Sequence, residues 1–186
     1  MSTSLVVLLL VAAALAAWAI RTFNRLVRLR NQVRTAWADI DVQLVRRHDL
    51  VPQLVAAVRG YAQHEQATLS LVTELRTQAL RTQDPTALGE VETALGQAVG
   101  RLLALREAYP DLHASDSFLR LQQDLVDVER QLQYARRFYN GAVRDLNDAV
   151  QRFPDLLVAR IAGIHAAGFF QAGDGTRDAV AVGPLA

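Results

Sequence analysis

An uninterrupted apolar run near the N-terminus restricts this chain more than any other feature. Sixteen consecutive residues from Leu5 to Ile20 are apolar, and no charged side chain occurs before Arg21. With the preceding uncharged residues, a helix of this stretch would be about 28 Å long, close to the hydrocarbon thickness of a bilayer. Trp18 and Phe23 lie near its end, where aromatic rings favour the headgroup region. The run predicts a membrane anchor over residues 1–22.

Two alternatives to a retained anchor exist. A buried helix of a soluble protein would keep a polar face, and this run has none. A cleaved signal peptide stays open, because Ala12 to Ala14 and Ala14 to Ala16 resemble small-residue cleavage sites. Five Arg follow the run and no basic residue precedes it, which opposes translocation. We therefore expect a single-pass protein of the cell membrane, with its N-terminus outside and the folded part in the cytoplasm.

The basic residues behind the run have a helical spacing. Arg21, Arg25 and Arg28 follow the i, i+4, i+7 pattern of one helix face. Beside an anionic leaflet, each could contribute about 1 kcal/mol of attraction. We interpret them as candidate lipid-facing residues, with membrane lipid as the partner; the alternative is that they only set the topology.

Charge and composition exclude several classes of function. Residues 21–60 carry eight Arg against three Asp, whereas residues 61–186 carry twelve Arg against sixteen acidic residues. A nucleic-acid-binding domain would spread a basic face over its folded part, so no nucleic acid is expected. The chain has no cysteine, which excludes disulfides, thiolate metal sites and a cysteine nucleophile.

The rest of the chain has helical periodicity. One apolar stripe alternates steps of three and four residues over thirty-six residues, and a long helix with such a stripe must pack against other helices. The stripe consists of Phe118, Leu121, Leu125, Val128, Leu132, Ala135, Tyr139, Ala142, Leu146, Ala149 and Phe153. Similar patterns run from Leu26 to Leu44, from Leu54 to Ala79 and from Leu88 to Tyr109.

These patterns predict an all-α fold: an antiparallel up-and-down four-helix bundle of long helices behind one transmembrane helix. Asp84-Pro85, Tyr109-Pro110, Ser115 or Asp116, and Phe153-Pro154 supply the breaks. A chain reversal is favoured at residues 48–52, with Asp49 as a cap. The alternative there is a single helix kinked at Pro52. The predicted organisation is an anchor over 1–22, a bundle over 23–168 and a poorly ordered tail over 169–186.

No motif predicts catalysis. His64-Glu65 begins like a zinc-protease motif, but Thr68 stands where the second His is needed. There is no glycine-rich phosphate loop and no nucleophile elbow. The spacing of Gly96 and Gly100 indicates close helix packing. We expect no catalytic residue, no metal, no cofactor and no small-molecule substrate.

One dense polar cluster is the candidate partner surface. It contains Arg46, Arg47, His48 and Asp49, with Asp39 and Asp41 before it. The alternative is a set of solvated ion pairs and a helix cap, each contributing at most about 1 kcal/mol. Because exposed ion pairs contribute little, reversing the charge of both Arg should change stability by only about 1–2 kcal/mol and remove the partner; unfolding would show that the cluster is structural.

The sequence resembles the LemA family over nearly its whole length. The matching blocks are Phe23–Asn31, Ala36-Trp37, Ile40–Leu44, Arg46–Pro52, Val58–Ala62, His64-Glu65, Glu107–Leu112, Phe118, Leu121-Gln122, Ala135-Arg136, Tyr139-Asn140, Asn147 and Phe153-Pro154. The resemblance implies a bacterial protein with one N-terminal span, an outside N-terminus and a cytoplasmic bundle of long helices. It brings no enzymatic activity, cofactor or catalytic residue. The tail departs from the family, because Gln171 and Ala172 follow Phe169-Phe170 where an acidic residue is usual, and Gly183-Pro184 replaces the usual ending.

A membrane-anchored scaffold or adaptor without catalytic activity is the expected function. The runner-up is a regulatory subunit of another membrane protein, such as a protease or transporter, and a cryptic enzyme comes third. The expected partners are membrane lipid and a protein that the sequence does not name. The oligomeric state stays open, with a homo-oligomer as one option.

Overall fold

The computed structural model describes residues 3–62 and 64–170, and this part of the chain is all-helical, without a strand. Six α-helices and one short 3₁₀ turn, Leu105–Glu107, follow one another. The helices are α1 (Thr3–Arg59), α2 (Gln66–Arg81), α3 (Pro85–Ala104), α4 (Pro110–His113), α5 (Asp116–Gln151) and α6 (Asp155–Ile161). The predicted fold class is thereby confirmed at the level of an all-helical chain with one long apolar N-terminal helix.

The chain divides into two compact units. Unit 1 consists of Met1–Val45 and Glu129–Phe169, and unit 2 consists of Arg46–Val128 and Phe170–Ala186. Both α1 and α5 contribute residues to each unit.

The favoured chain reversal at residues 48–52 is wrong. Helix α1 continues through this stretch to Arg59 and contains Pro52 in its interior. Asp49 is therefore a mid-helix residue and caps nothing. The chain leaves α1 at Gly60 and enters α2 at Gln66, so the apolar pattern from Leu54 to Ala79 belongs to two helices instead of one.

The core of unit 1 comes from one face of α1 and one face of α5. Leu26, Val33, Ile40 and Leu44 of α1 are buried. The α5 stripe is buried from Leu132 to Ala149, as its spacing predicted. The ring of Trp37 meets the ring of Tyr139 edge-on, with centroids 5.3 Å apart. Such aromatic pairs stabilise a fold beyond the area they bury.

Two polar side chains of α5 hold the segment that follows α6. The side-chain amide of Asn147 donates to the carbonyl oxygen of Ala167 at 3.0 Å and accepts from the Ala167 N–H at 2.8 Å. The Tyr139 hydroxyl donates to the Gly168 carbonyl oxygen at 2.9 Å. Because this segment lacks helical hydrogen bonds, these contacts satisfy backbone groups that would otherwise have no partner inside the protein.

The core of unit 2 draws on all four long helices. Val51, Leu54 and Val58 of α1 pack with residues of the other three helices and with Leu112 of α4. The other helices supply Leu69 and Val72 from α2, Leu95, Ala98, Val99 and Leu102 from α3, and Phe118 and Leu125 from α5.

The breaks predicted at Asp84-Pro85, Tyr109-Pro110, Ser115 or Asp116, and Phe153-Pro154 all fall between helices. Asp84 caps α3 by accepting the Ala87 N–H at 2.8 Å, with Pro85 in the first turn. Ser115 accepts from the Phe118 N–H at 3.5 Å just before α5. Phe153, by contrast, is 75% exposed, because α5 ends at Gln151 and the residue no longer follows the stripe.

Most of the predicted tail, residues 171–186, lies outside the described residues. Phe170, the second residue of the Phe169-Phe170 pair, is fully buried.

Candidate functional site

The first part of α1 is the candidate membrane span. Within residues 3–62 and 64–170, it is the one helical stretch long and apolar enough to cross a bilayer, and none of that stretch is buried inside the protein. Its aliphatic side chains are exposed, Leu8 and Leu10 by 65% each. Apolar side chains exposed all around a helix are typical of a helix surrounded by lipid.

The basic flank of the span is exposed and joined to α6. Arg21, Arg25 and Arg28 all lie on the surface of unit 1. Nη1 of Arg25 lies 2.9 Å from Oδ2 of Asp155, the first residue of α6. Thr22, which is buried, donates its hydroxyl to the other carboxylate oxygen at 3.4 Å. Asp155 thus fixes the start of α6 against the residues that directly follow the candidate span, while the side chains of Arg21 and Arg28 are exposed.

Unit 2 contains a buried ionic cluster of three side chains, Arg47, His48 and Glu92. Glu92 of α3 is fully buried, and Arg47 and His48 of α1 are 4% and 5% exposed. Nη1 of Arg47 lies 3.0 Å from Glu92 Oε2 and also donates to the Glu92 carbonyl oxygen at 3.3 Å. Nε2 of His48 lies 2.6 Å from Glu92 Oε1. Each carboxylate oxygen therefore has its own partner, which a buried carboxylate requires.

A fourth side chain explains how α1 passes through Pro52. Proline has no N–H, so the carbonyl oxygen of His48, four residues earlier, lacks its helical hydrogen bond. Nε of Arg76, on α2, donates to that oxygen at 2.7 Å. A charged donor replaces the missing backbone donor, so the helix continues without leaving a bare carbonyl.

The structure separates the four residues of the predicted partner surface. Arg46 and Asp49 are exposed, whereas Arg47 and His48 are buried against Glu92. The physical reason is the helical period: Arg46 and Asp49, three residues apart, lie on one side of a continuous helix, and the two residues between them point to the other side. Arg47 and His48 therefore leave the candidate surface. The expected small loss of stability on reversing the charge of both Arg applied to exposed side chains, and Arg47 is buried and paired with Glu92.

The sequence interpretation missed Glu92, although a signal was present. Leu88, Glu92 and Leu95 follow the spacing of the apolar stripe of α3, so a lone carboxylate stands at a core position. A buried charge needs a partner. The segment from Arg46 to His48 contains the densest group of side-chain hydrogen-bond donors in the sequence. Two of them reach Glu92 because α1 continues through this segment as one helix.

Beside the cluster, unit 2 has an open groove of about 310 Å³. Its wall is mainly apolar, with Val51, Pro52, Val55, Ala56 and the Arg59 side chain from α1, and Thr73 and Arg76 from α2. Among the described residues, no group of three or more His, Asp or Glu stands where it could hold a metal ion.

Comparison with protein-family models tests the family resemblance that the motifs indicated. The LemA family model matches residues 36–183, most of the chain. The chain belongs to the LemA family. The matched range includes every residue of the buried ionic cluster as well as Asn147.

Individual relatives are distant but cover most of this LemA-family chain. "Magnetosome protein MamQ 2" of Paramagnetospirillum magneticum is 23% identical over 90% of this chain and 71% of its own length. "Protein LemA" of Metamycoplasma hominis is 26% identical over 81% of this chain and 69% of its own length. "Magnetosome protein MamQ" of Magnetospirillum gryphiswaldense is 21% identical over 80% of this chain and 64% of its own length.

Proposed function

We propose that this LemA-family protein is a membrane-tethered helical scaffold or adaptor without catalytic activity, which holds a protein partner at the cytoplasmic face of the cell membrane. One observation carries the proposal. The helix that contains the candidate span also supplies core residues of unit 1 from Leu26 onward. Because α1 continues without a linker into the core of unit 2 as well, a protein bound to either unit would be held at the membrane. Membership of the LemA family and similarity to magnetosome proteins support a membrane-associated helical protein.

The proposal extends to the arrangement of the helices. The final part of α1, the helices α2 and α3, and the first part of α5 form an antiparallel up-and-down bundle in unit 2. Their shared apolar core supports this arrangement. The short connections between α1 and α2 and between α2 and α3 support it as well, because short loops join antiparallel neighbours.

The partner surface is the exposed face of the last part of α1. Arg46, Asp49, Pro52, Ala56 and Arg59 are all exposed, and they follow steps of three and four residues. This face borders the apolar groove of unit 2. A charged strip beside an apolar groove suits a protein partner, since charges steer association and apolar contacts stabilise the complex.

Crosslinking in intact cells tests this surface. The full chain should capture a defined protein, and Arg46→Glu combined with Asp49→Arg should remove that protein while leaving a folded, membrane-bound chain. Arg101→Glu, an exposed substitution on α3, is the matched control and should keep the partner. Retention of every partner by the double variant would place the interaction elsewhere. Capture of one membrane protein at fixed stoichiometry would support the regulatory subunit instead.

Membrane fractionation tests the tether. Full-length protein should remain with the membranes after extraction with alkaline carbonate, because the exposed apolar run of α1 has no other cover. A soluble product beginning near Ala17 would show that the run is a cleaved signal peptide. Turnover by purified protein on any substrate would contradict the non-catalytic part of the proposal.

A further inference from the structure

Helix α6 presents its apolar side outward. Phe153, just before the helix, is 75% exposed, Leu157 is 49% exposed and Ile161 is 89% exposed. Leu157 and Ile161 are four apart in the helix, so they lie along one side, and the exposed Phe153 is in the turn that leads into it. The opposite side contains Asp155 and Ala159, which are buried. A helix at an aqueous surface has the reverse pattern, with its polar side outward.

This apolar side lies beside the end of the candidate span. Ile161, Val158 and Ala162 line an open apolar groove of about 360 Å³ together with Ala19, Ile20 and Phe23. Ile20 is the last residue of the uninterrupted apolar run. The start of α6 is instead tied to Thr22 and Arg25 through Asp155. Helix α6 therefore runs from the level of the basic flank toward the level of the span.

The chain then turns back along α5. Gly163 ends α6 with φ of 62°, a conformation that favours glycine. Asn147 and Tyr139 then bind Ala167 and Gly168. Because Tyr139 lies three turns before the end of α5, the segment retreats from the span after α6. The chain thus reverses direction at α6, and this helix lies beside the end of the candidate span. We call α6 and this turn the tip of unit 1.

The exposed charged residues of α6 and of the turn before it are basic. Arg152 and Arg160 are exposed, and the one carboxylate of α6, Asp155, is buried and paired with Arg25. Long Arg side chains can keep the guanidinium in the headgroup region while the apolar stem stays in lipid. An apolar surface with a basic rim is the composition of elements that lie in the membrane interface.

We propose that α6 is a second membrane contact, in which Phe153, Leu157 and Ile161 insert into the interfacial region of the leaflet where α1 leaves the bilayer. The inference rests on the proposed function, because it requires α1 to span the membrane. Lipid is the occupant that the structure favours, since the exposed apolar side is continuous with the surface of the span itself. The contact fixes unit 1 at the bilayer at two points instead of one.

Site-directed spin labelling of the full chain in lipid vesicles tests the contact. The chain has no cysteine, so Ile161→Cys introduces a single labelling site, and at an exposed position it leaves the fold intact. The control Tyr134→Cys places the label at a 61% exposed aromatic position in the middle of α5. Leu10→Cys places it inside the span. For each label, the accessibility to two paramagnetic reagents is measured. One is oxygen, which concentrates in lipid, and the other is a water-soluble nickel chelate.

The expected ratio of oxygen to nickel accessibility at Ile161 is several-fold higher than at Tyr134 and approaches that at Leu10. A ratio at Ile161 equal to that at Tyr134, with a high ratio at Leu10, would overturn the α6 contact and leave the anchor standing. A low ratio at Leu10 as well would overturn the anchor itself. Low accessibility of Ile161 to both reagents would mean that a second copy of the chain covers α6, which also overturns the lipid contact.

Discussion

Gly96 lies directly against Arg47: a Cβ atom on Gly96 would stand 2.6 Å from Nη2 of the guanidinium. The missing side chain makes room for a buried Arg that is already fixed by Glu92. The close approach inferred from the Gly96 and Gly100 spacing is therefore present at Gly96, but the neighbour is a side chain. At Gly100, among the described residues and apart from the nearby backbone of α3 itself, no atom lies within 4 Å of such a Cβ.

The two glycines give a matched pair of substitutions. Gly96→Ala should destabilise the protein by about 1–2 kcal/mol, because the guanidinium must shift in a packed site. Gly100→Ala should stabilise it by about 0.5–1 kcal/mol, since Ala is the better helix former and meets no obstacle. Chemical denaturation of the full chain in detergent, followed by circular dichroism, measures both values. Equal effects at the two positions would mean that Arg47 does not occupy this site.

The buried ionic cluster predicts different stability costs for substitution of the neighbouring residues Arg46 and Arg47. Arg47→Glu should cost more than about 3 kcal/mol of unfolding free energy, because it brings a second carboxylate to the buried Glu92. Glu92→Ala should cost about 3–5 kcal/mol, since it leaves the Arg47 charge buried without its carboxylate. Arg46→Glu, at the exposed adjacent position, should change stability by less than about 0.5 kcal/mol. The same denaturation measurement applies, and equal tolerance of both Arg substitutions would contradict the cluster.

The hydrogen bond between Arg76 and the His48 carbonyl predicts a coupling with Pro52. Arg76→Ala alone should cost about 1–2 kcal/mol, because a carbonyl oxygen loses its only replacement donor. In a Pro52→Ala background, the restored N–H can donate to that oxygen, so the cost of Arg76→Ala should fall by at least half. A double-mutant cycle measures this coupling. Arg81→Ala, exposed on the same helix, should show no difference between the two backgrounds.

The contact of Asn147 with Ala167 predicts a local effect. Asn147→Ala should destabilise the protein by about 1–3 kcal/mol, because two backbone groups of Ala167 lose their partners together. Hydrogen exchange of the segment from Ile164 to Gly168 should accelerate, while the α3 amides keep their protection. Asp148→Ala, at the exposed neighbouring position, is the control. Unchanged exchange in the Asn147 variant would mean that other contacts hold the segment.

Orientation follows from the charge distribution around the span. The Arg residues after the apolar run predict an outside N-terminus, with the chain that follows the candidate span in the cytoplasm. A reporter that works only in the cytoplasm should therefore be active when fused after Ala186. A reporter that requires export should be inactive there, and activity from it would reverse the proposed topology.

The strongest sequence patterns were reliable because each depends on local periodicity. The α5 stripe predicted burial of Leu132 and Tyr139, and burial is what a three-and-four alternation requires in a long helix. Asp84 caps α3 as expected, because a carboxylate before proline satisfies free N–H groups with no help from distant residues. The stripe failed at Phe153, beyond the end of its helix.

Pro52 shows where local inference stopped. From sequence alone, a proline in the first turn after Asp49, a possible capping residue, favoured a break. The donor is Arg76, twenty-eight residues away, and only the packing of α2 beside α1 brings it there.

The sequence by itself determined the class of the molecule: an apolar run with a basic flank, a helical chain and membership of the LemA family. Hydrophobic periodicity and charge placement act over one or two helical turns, so they can be deduced residue by residue. The tertiary structure alone decided that α1 is continuous, that Arg47 and His48 are buried with Glu92, and that α6 turns its apolar side toward the end of the span. Each of these features depends on residues that are distant in sequence. Whether a charged residue is buried, or an apolar residue is exposed, depends on which distant groups pack against it.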